Sequence, residues 1–191
     1  MGQDSVQVRL DKFDNSSWQR GRPLFVELAW LMVGSPLVSS CLPGSWYRRY
    51  VLRFFGAHIG REVVIKPRVR VKFPWRLEIG DHSWIGEGVW IDNLAQVTIG
   101  AHCCLSQEAY LCTGSHDWSK PTFDLVTRPI AIGDGAWIAA RATVGPGVVL
   151  EEGAILALSS AATSRLAAWG VYQGIPAVLI RKRCIESGDH R

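Results

Sequence analysis

Hydrophobic positions recur every six residues from residue 59 onward. Written in sixes, the chain reads IGREVV IKPRVR VKFPWR and then IGDHSW IGEGVW IDNLAQ. The first position of each hexad is aliphatic and the fifth is small or slim, with Trp75 as the exception. A helix period of about 3.6 or a strand period of about 2 does not produce this spacing. A period of six predicts one short strand and one tight corner per hexad, so that three hexads close one triangular coil of a solenoid.

Two kinds of insertion interrupt the hexads. The dipeptides at 77–78 and 97–98 follow the first two coils, and we expect them to form bulged corners. A longer excursion over 117–131 leaves the solenoid directly after His116, and loops of this length are uncommon in compact domains unless they are functional. The sequence therefore predicts a mainly β protein, with the solenoid over 59–170 and the excursion within it. An extension with helices over 1–58 precedes the solenoid, and a closing segment and tail over 171–191 follow it.

The N-terminal extension contains a long apolar stretch over 23–42. The spacing of Phe25, Leu28, Ala29 and Met32 predicts a helix, and Pro36 is expected to end or kink it. The favoured interpretation is a helix packed on the solenoid and capping one end. The alternatives are a helix that lies on a membrane or faces a partner, and a membrane span, which the polar and helix-breaking residues of the stretch disfavour. A second helix is predicted within 45–60, with these apolar residues toward a core: Tyr47, Tyr50, Val51, Phe54 and Phe55.

Charge and cysteine content narrow the choice of ligand and compartment. The net charge of +4 suits an anionic ligand, but the basic residues show no Lys/Arg block or nucleic-acid motif. This favours a phosphorylated small molecule and argues against nucleic acid. The five cysteines include no CxxC pair, which fits neither a disulfide framework nor a zinc knuckle. The polar start MGQDSVQVRLDKFDN does not look like a signal peptide, so we expect a cytoplasmic protein.

Three segments carry a family resemblance: PWRLEIGDHSWIGEGVWIDNL, SQEAYLCTGSHD and RPIAIGDGAWIAA. They resemble the hexapeptide-repeat, left-handed parallel β-helix acyltransferases, and among them the sugar O-acetyltransferases of the colanic-acid (WcaF-like) branch. The resemblance covers roughly 46–183. It implies a left-handed parallel β-helix, a homotrimer with active sites between subunits, and direct transfer of an acetyl group from acetyl-CoA to a sugar hydroxyl. The acceptor would be a polysaccharide precursor or a glycosylated small molecule.

The same resemblance implies that His116 is the general base. A neutral imidazole within hydrogen-bond reach of an alcohol takes its proton during attack on a thioester carbonyl, and the imidazolium then protonates the departing thiolate. A backbone carbonyl or a carboxylate is expected to orient the ring, with Asp117 and Glu108 as the candidate carboxylates.

The other site residues are also carried over from the resemblance. For the acceptor, Asn93 is the principal candidate contact, followed by Asp92, Glu87 and Tyr110. For acetyl-CoA the candidates are Trp137, Ala140, Leu158, Thr163, Arg181 and Arg183, with Trp137 beside the thioester and the arginines on the phosphates. The chain departs from the family at Ser164–Arg165, Ala167–Ala168 and Ile175, which puts cofactor affinity in question.

Three alternatives stay open. The first is transfer to an amine, or from a longer acyl donor. The second is a non-catalytic β-helix that binds or assembles partners. The third is a metal-dependent hydratase, which needs three converging histidines where only His82 and His102 approach one another, so no metal is expected. For a lipid-linked acceptor, residues 23–42 would supply a peripheral membrane contact.

Overall fold

The computed structural model describes residues 7–16 and 18–186. The predicted extension 1–58 and tail 171–191 therefore lie partly outside the described residues. The body is a parallel β-helix whose short strands form three sheet faces, called here faces A, B and C. The predicted fold class, mainly β with a solenoid of hexapeptide coils, is confirmed.

Each coil contributes one strand to each face in turn. Face A consists of β1 (His58–Ile59), β4 (Leu77–Ile79), β7 (Val97–Ile99), β12 (Ile130–Ile132) and β15 (Val149–Leu150). Face B consists of β2 (Val64–Ile65), β5 (Trp84–Ile85), β8 (Cys104–Leu105), β13 (Trp137–Ile138) and β16 (Ile155–Leu156), and continues into the hairpin of β18 (Gly170–Gly174) and β19 (Ala177–Lys182). Face C consists of β3 (Arg70–Val71), β6 (Trp90–Asp92), β9 (Tyr110–Cys112), β14 (Thr143–Val144) and β17 (Ala161–Ala162). A separate antiparallel hairpin is formed by β10 (Gly114–His116) and β11 (Leu125–Thr127).

The aliphatic first positions of the hexads fill the prism. On face B, Ile85 pairs in register with Leu105, which pairs with Ile138, and all three are buried. The small fifth positions fit the corners, as the buried Ala109 and Ala142 show. A continuous apolar core therefore runs the length of the solenoid, and each coil is held to the next by parallel-strand hydrogen bonds.

The glycines at second hexad positions serve close packing between coils. A Cβ on Gly80 would lie 2.5 Å from the backbone nitrogen of Ala101 in the next coil. The left-handed backbone of the corners falls instead at fourth positions, such as His82 with φ 58° and His102 with φ 57°. These two imidazoles stack on neighbouring coils as predicted, with ring centroids 5.1 Å apart. Within the described ranges, no group of three or more potential metal ligands comes together.

The expectation of bulges at 77–78 and 97–98 was wrong. Leu77 and Val97 are buried and extend the face A strands β4 and β7, because their apolar side chains enter the core. The extra length is taken up in the preceding corners, by a 3-10 turn at Pro74–Arg76 and by a bend at 94–95.

The N-terminal segment forms a short 3-10 turn at Leu10–Lys12 and then a helical cap. The cap consists of α1 (Leu24–Ala29), a π-helical turn (Trp30–Gly34), α2 (Ser35–Ser39) and α3 (Trp46–Phe54). Pro36 does not end the helix, because it lies in the first turn of α2, where a backbone N–H is not required. No helix in the described part of the chain is long and apolar enough to cross a bilayer.

The helical faces predicted to pack on the core do so only in part. Phe25 and Met32 are 72% and 77% exposed, whereas Trp30 and Val38 are buried. Val51 and Phe55 pack against the core as predicted. In α3 the buried residues are Arg48 and Leu52, while the following predicted core residues are exposed: Tyr50 and Phe54. The reversal has a physical cause, because the Arg48 guanidinium donates to four backbone carbonyls, those of Val38, Ser40, Leu42 and Gly44. These bonds turn the polar face of α3 inward.

Candidate active site

His116 lies where the chain leaves the solenoid, at the corner between faces C and A. It ends β10, which pairs antiparallel with β11, so that His116 is opposite Leu125. The excursion is therefore an ordered hairpin that returns to face A at β12. A histidine on a paired strand has a restricted backbone, which makes its side chain direction well defined.

The imidazole of His116 has a defined tautomer. Its Nδ1 lies 2.9 Å from the backbone carbonyl oxygen of Phe123, and its ring stacks on the Phe123 ring with centroids 4.3 Å apart. A carbonyl oxygen only accepts hydrogen bonds, so Nδ1 carries a proton, and in the neutral ring the lone pair is on Nε2. This is the arrangement that a general base requires.

Neither predicted carboxylate orients the ring. Asp117 accepts hydrogen bonds from the backbone and hydroxyl of Ser119, and these bonds hold the pKa of the Asp117 carboxyl below its usual value. Glu108 pairs with Arg141 at 2.7 Å. The orienting group is the Phe123 carbonyl, brought to the ring by the turn of the hairpin. No motif in the sequence marks Phe123 for this role.

His116 lines a polar cavity of about 440 Å³. The cavity combines an imidazole, hydroxyls, a carboxylate and a guanidinium, and its lining residues are Ser115, His116, Asp117, Trp118, Ser119, Val126, Arg128 and Pro146. The lining therefore offers both hydrogen-bond donors and acceptors, together with the exposed indole of Trp118. This chemistry suits a ligand with several hydroxyl groups.

The N-terminal segment runs along the same corner. The backbone nitrogen of Arg9 donates to the Pro121 carbonyl at 2.7 Å, and the indole of Trp18 donates to the Leu94 carbonyl at 3.0 Å. Between these two contacts, the ring of Phe13 lies 5.8 Å from the imidazole of His116. Sequence reasoning missed Phe13, because its contact spans about a hundred residues and no local pattern signals it.

Asn93, the principal candidate for the acceptor, is a structural residue. Its side chain is fully buried, with 0% exposure. Its amide nitrogen donates to the carbonyls of Phe73 at 2.7 Å and Arg76 at 3.0 Å, and its oxygen accepts from the Phe73 backbone nitrogen at 2.9 Å. Both amide protons are used, so no donor is left for a sugar. The prediction that Asn93 contacts the acceptor is wrong in this structure, because the amide ties down the widened corner at 73–76.

The remaining acceptor candidates lie away from the cavity. Asp92 is 3.0 Å from the ammonium of Lys72, in an ionic contact rather than a directed hydrogen bond. Tyr110 stacks on Trp90 with centroids 4.6 Å apart, and burial raises the pKa of its phenol. Glu87 forms an ion pair with Arg68. None of these predicted contacts lines the His116 cavity, and Tyr110 instead lines a different groove on face C.

Four of the six predicted cofactor residues line one groove, of about 520 Å³, along the edge between faces B and C: Trp137, Ala140, Leu158 and Arg181. The Trp137 indole donates to the Ser106 hydroxyl at 2.9 Å. Small neighbours at Ala139 and Ala157 keep this groove open to an elongated ligand.

The other two predicted cofactor residues lie elsewhere. Thr163 is exposed beyond β17 and does not line the groove. The Arg183 guanidinium donates to the carbonyls of Gly135 at 2.7 Å and Gly153 at 3.0 Å, so its charge is committed to closing the C-terminal segment on the solenoid. Phosphate contact by Arg183 is therefore not supported.

The His116 cavity and the groove occupy different corners of the prism. Face C runs between them, and they share no lining residue. Within one chain, a ligand in the groove and a ligand beside His116 are thus held apart by a sheet face.

No protein-family model matches the chain. It is 40% identical over 163 residues to WcaF of Escherichia coli K12, a match that covers 85% of this chain and 90% of the relative. The name of that relative assigns it provisionally to colanic acid biosynthesis as an acetyltransferase. The chain belongs to the hexapeptide-repeat acetyltransferase family. The family resemblance and the prediction of an acyltransferase are thereby confirmed.

Solved structures share the fold of this acetyltransferase. A maltose O-acetyltransferase from Clostridium difficile 630 superposes with a TM-score of 0.76 at 18% identity, covering 85% of this chain and 90% of that one. A hexapeptide-repeat acetyltransferase from Vibrio cholerae, complexed with acetyl coenzyme A, superposes with a TM-score of 0.74 at 21% identity, covering 88% and 96%. At these identities the likeness shows the common β-helix.

Proposed function

We propose that this acetyltransferase moves an acetyl group from acetyl-CoA directly to a hydroxyl of a sugar, with His116 as the general base. One observation carries the proposal: the Nδ1–H of His116 is held by the Phe123 carbonyl, so that Nε2 is the ring nitrogen available to an acceptor, and His116 lines a polar cavity. The WcaF relative, named for colanic acid biosynthesis, and the maltose O-acetyltransferase of the same fold support a sugar acceptor.

The reaction needs one proton relay. His116 Nε2 removes the hydroxyl proton as the oxygen attacks the thioester carbonyl carbon, and a C–O bond forms. The tetrahedral intermediate then expels the thiolate, breaking the C–S bond, and the imidazolium returns its proton to sulfur. The Phe123 carbonyl stabilises the imidazolium through Nδ1–H without taking the proton. No covalent acyl-enzyme is required.

The groove along faces B and C is the proposed site for acetyl-CoA. Trp137 and Leu158 offer apolar surface for the pantetheine arm, and Arg181, which also lines the groove, is the proposed partner of a phosphate. The small side chains of Ala139 and Ala140 leave room for the arm beside Trp137.

A homotrimer in the cytoplasm completes the proposal. In one chain the groove and the His116 cavity lie on different corners, so direct transfer requires the groove of a neighbouring subunit to lie against His116. The family resemblance implies a trimer of parallel subunits, in which an edge of each prism lies against the neighbouring subunit. The acceptor is a polysaccharide precursor, lipid-linked or free, or a glycosylated small molecule.

The test is free-thiol release from acetyl-CoA against a panel of sugars and nucleotide sugars. His116→Ala is expected to lower turnover by about 10²–10⁴-fold, the usual contribution of a general base, while light scattering still reports the trimer. His58→Ala, an exposed histidine on face A, is the matched control and should retain activity.

Three results would count against the proposal. Near-normal transfer by His116→Ala would remove the assigned base. Release that depends on an amine acceptor, or a preference for a longer acyl-CoA, would change the acceptor or donor class. No acceptor-dependent release together with no calorimetric binding of acetyl-CoA would favour a non-catalytic β-helix.

A further inference from the structure

Among the described residues, the outer surface of the helical cap is apolar and exposed. Phe25 and Met32 on the first helical stretch and Trp46 and Phe54 on α3 are each at least 70% exposed. We call these and their exposed neighbours the cap patch: Leu24, Phe25, Leu28, Leu31, Met32, Val33, Leu37, Leu42, Trp46, Tyr50 and Phe54. Scattered exposed apolar residues are ordinary, but a set this dense within 24–54 indicates a contact surface.

Charged side chains in the cap are directed to the protein. Residues 24–54 contain four of them, and Glu27 is buried in an ion pair with Arg20. The guanidinium of Arg48 is buried on backbone carbonyls, and those of Arg49 and Arg53 donate to the first coil, at the carbonyls of Val63 and Ile59. The charged side chains of 24–54 are therefore unavailable for directed ion pairs with a protein partner.

Positive charge is concentrated around the same end of the solenoid. Residues 18–76 contain eleven Lys and Arg but only two Glu, a net charge of +9 within a chain whose total is +4. The rest of the chain is therefore acidic, with ten basic and fifteen acidic residues. The basic residues form no continuous block, but the excess of positive charge lies within 18–76.

Part of this charge is free to act on a partner. Within the described ranges, Arg22 and Lys66 form no ion pair with a carboxylate, whereas Arg61 and Arg68 pair with the second coil and the Arg70 guanidinium lies over the Trp90 ring, 4.4 Å from its centroid. The first coil adjoins the cap directly, because the Ser45 hydroxyl in the cap bonds to the Ile65 carbonyl at 3.1 Å. Basic side chains therefore border the cap patch.

We propose that the cap patch docks this enzyme on the surface of an anionic phospholipid bilayer. Apolar side chains would enter the boundary between headgroups and acyl chains, while the bordering Lys and Arg meet the phosphates. Trp46 and Tyr50 have the amphipathic rings that favour this depth. The helix over 24–39 is too short to span, so it lies along the interface. This inference goes beyond acetyl transfer and does not depend on it.

Vesicle flotation tests the proposal with the full-length protein. The probe is a vesicle of equal amounts of phosphatidylglycerol and phosphatidylcholine, compared with phosphatidylcholine alone. The wild type should float with the anionic vesicles and be partly released by salt. The double variant Phe25→Asp/Met32→Asp should bind the anionic vesicles with a partition coefficient at least about tenfold lower. Each substitution removes an apolar side chain that would be buried in the bilayer.

Ile175→Asp is the matched control, since Ile175 is 78% exposed but lies at the opposite, C-terminal part of the solenoid. It should float like the wild type. Failure of the wild type to bind anionic vesicles overturns the proposal, as does equal flotation of the double variant. If light scattering shows that Phe25→Asp/Met32→Asp changes the oligomeric mass, the patch is an interface between copies, and the lipid proposal is also rejected. Flotation needs no turnover, so its failure leaves the proposed acetyl transfer untouched.

Discussion

Replacing Asn93 distinguishes a buried support of the solenoid from a sugar contact. In the structure its amide donates to the carbonyls of Phe73 and Arg76 and accepts from the Phe73 nitrogen. Asn93→Ala leaves these three backbone groups without partners. Each unpaired buried group costs about 1–3 kcal/mol, and we use about 1 because water can enter the vacated space.

The expected loss is about 3 kcal/mol in the free energy of unfolding. For a chain of this size, each kcal/mol lowers the melting temperature by about 2–4 °C, so the total decrease should be about 6–12 °C. A sugar contact at this position would instead raise the KM for the acceptor and leave the melting temperature nearly unchanged.

Asn93→Asp should make the free energy of unfolding depend on pH. The oxygen that replaces the amide nitrogen faces two carbonyl oxygens, which lie 2.7 and 3.0 Å from the nitrogen in the wild type. Repulsion disfavours the ionised carboxylate and raises its pKa in the folded state above the unfolded value. The unfolded state of the variant then loses its proton first as pH rises, so the variant loses stability with rising pH. The difference in free energy of unfolding between the variant and the wild type should be widest at neutral pH. It should narrow toward about pH 4, the ordinary pKa of aspartate.

Thermal and urea unfolding at pH 5 and 7.5, together with acceptor KM, measures both effects. Asn15→Asp, on the exposed N-terminal segment, is the control for the added charge and should unfold like the wild type. The reasoning is refuted if Asn93→Ala melts with the wild type while the acceptor KM rises. A gap between Asn93→Asp and the wild type that does not vary with pH would refute the electrostatic part.

Three further outcomes are expected. Trp137→Ala should raise the KM for acetyl-CoA by about tenfold, because the indole lines the proposed cofactor groove. Burying an aromatic side chain against a ligand is worth about 1.5 kcal/mol or more. Unchanged kinetics would place the cofactor elsewhere. Burial raises the pKa of the Cys103 thiol to about 11. Mass spectrometry after alkylation at pH 8 should therefore find Cys103 unmodified when the exposed Cys41 and Cys184 have reacted. Early modification of Cys103 would contradict its burial. Arg48→Met should lower the free energy of unfolding by about 3 kcal/mol or more in urea titrations, because four carbonyls lose their donor. An unchanged urea midpoint would show that water replaces the guanidinium.

The repeat itself is readable from the sequence because every coil obeys the same local rule. An aliphatic residue every six positions enters the prism, and a small residue four positions later fits the corner, as with Leu105 and Ala109. The same rule locates the excursion, because the period stops after His116 and resumes at Ile132. The groove residues Trp137 and Leu158 were named from the family resemblance, and the repeat by itself does not single them out.

Contacts between distant parts of the chain could not be obtained this way. Asn93 looks like any polar corner residue until the backbone of the preceding coil, at Phe73 and Arg76, is brought around it. In the cap, helical spacing identifies an apolar side of the helix but not where it points. Burial of Arg48 on four carbonyls leaves Tyr50 and Phe54 on the outer side of α3.

The sequence alone therefore determined the coil, the corners and the place of the histidine, because these depend on residues a few positions apart. Only the tertiary structure decided that the Phe123 carbonyl orients His116, that Asn93 is unavailable to a ligand and that the cap is apolar on its outer side. Each of these outcomes depends on which backbone groups of other segments reach a side chain and satisfy its hydrogen bonds, and that is known only when the whole chain is folded.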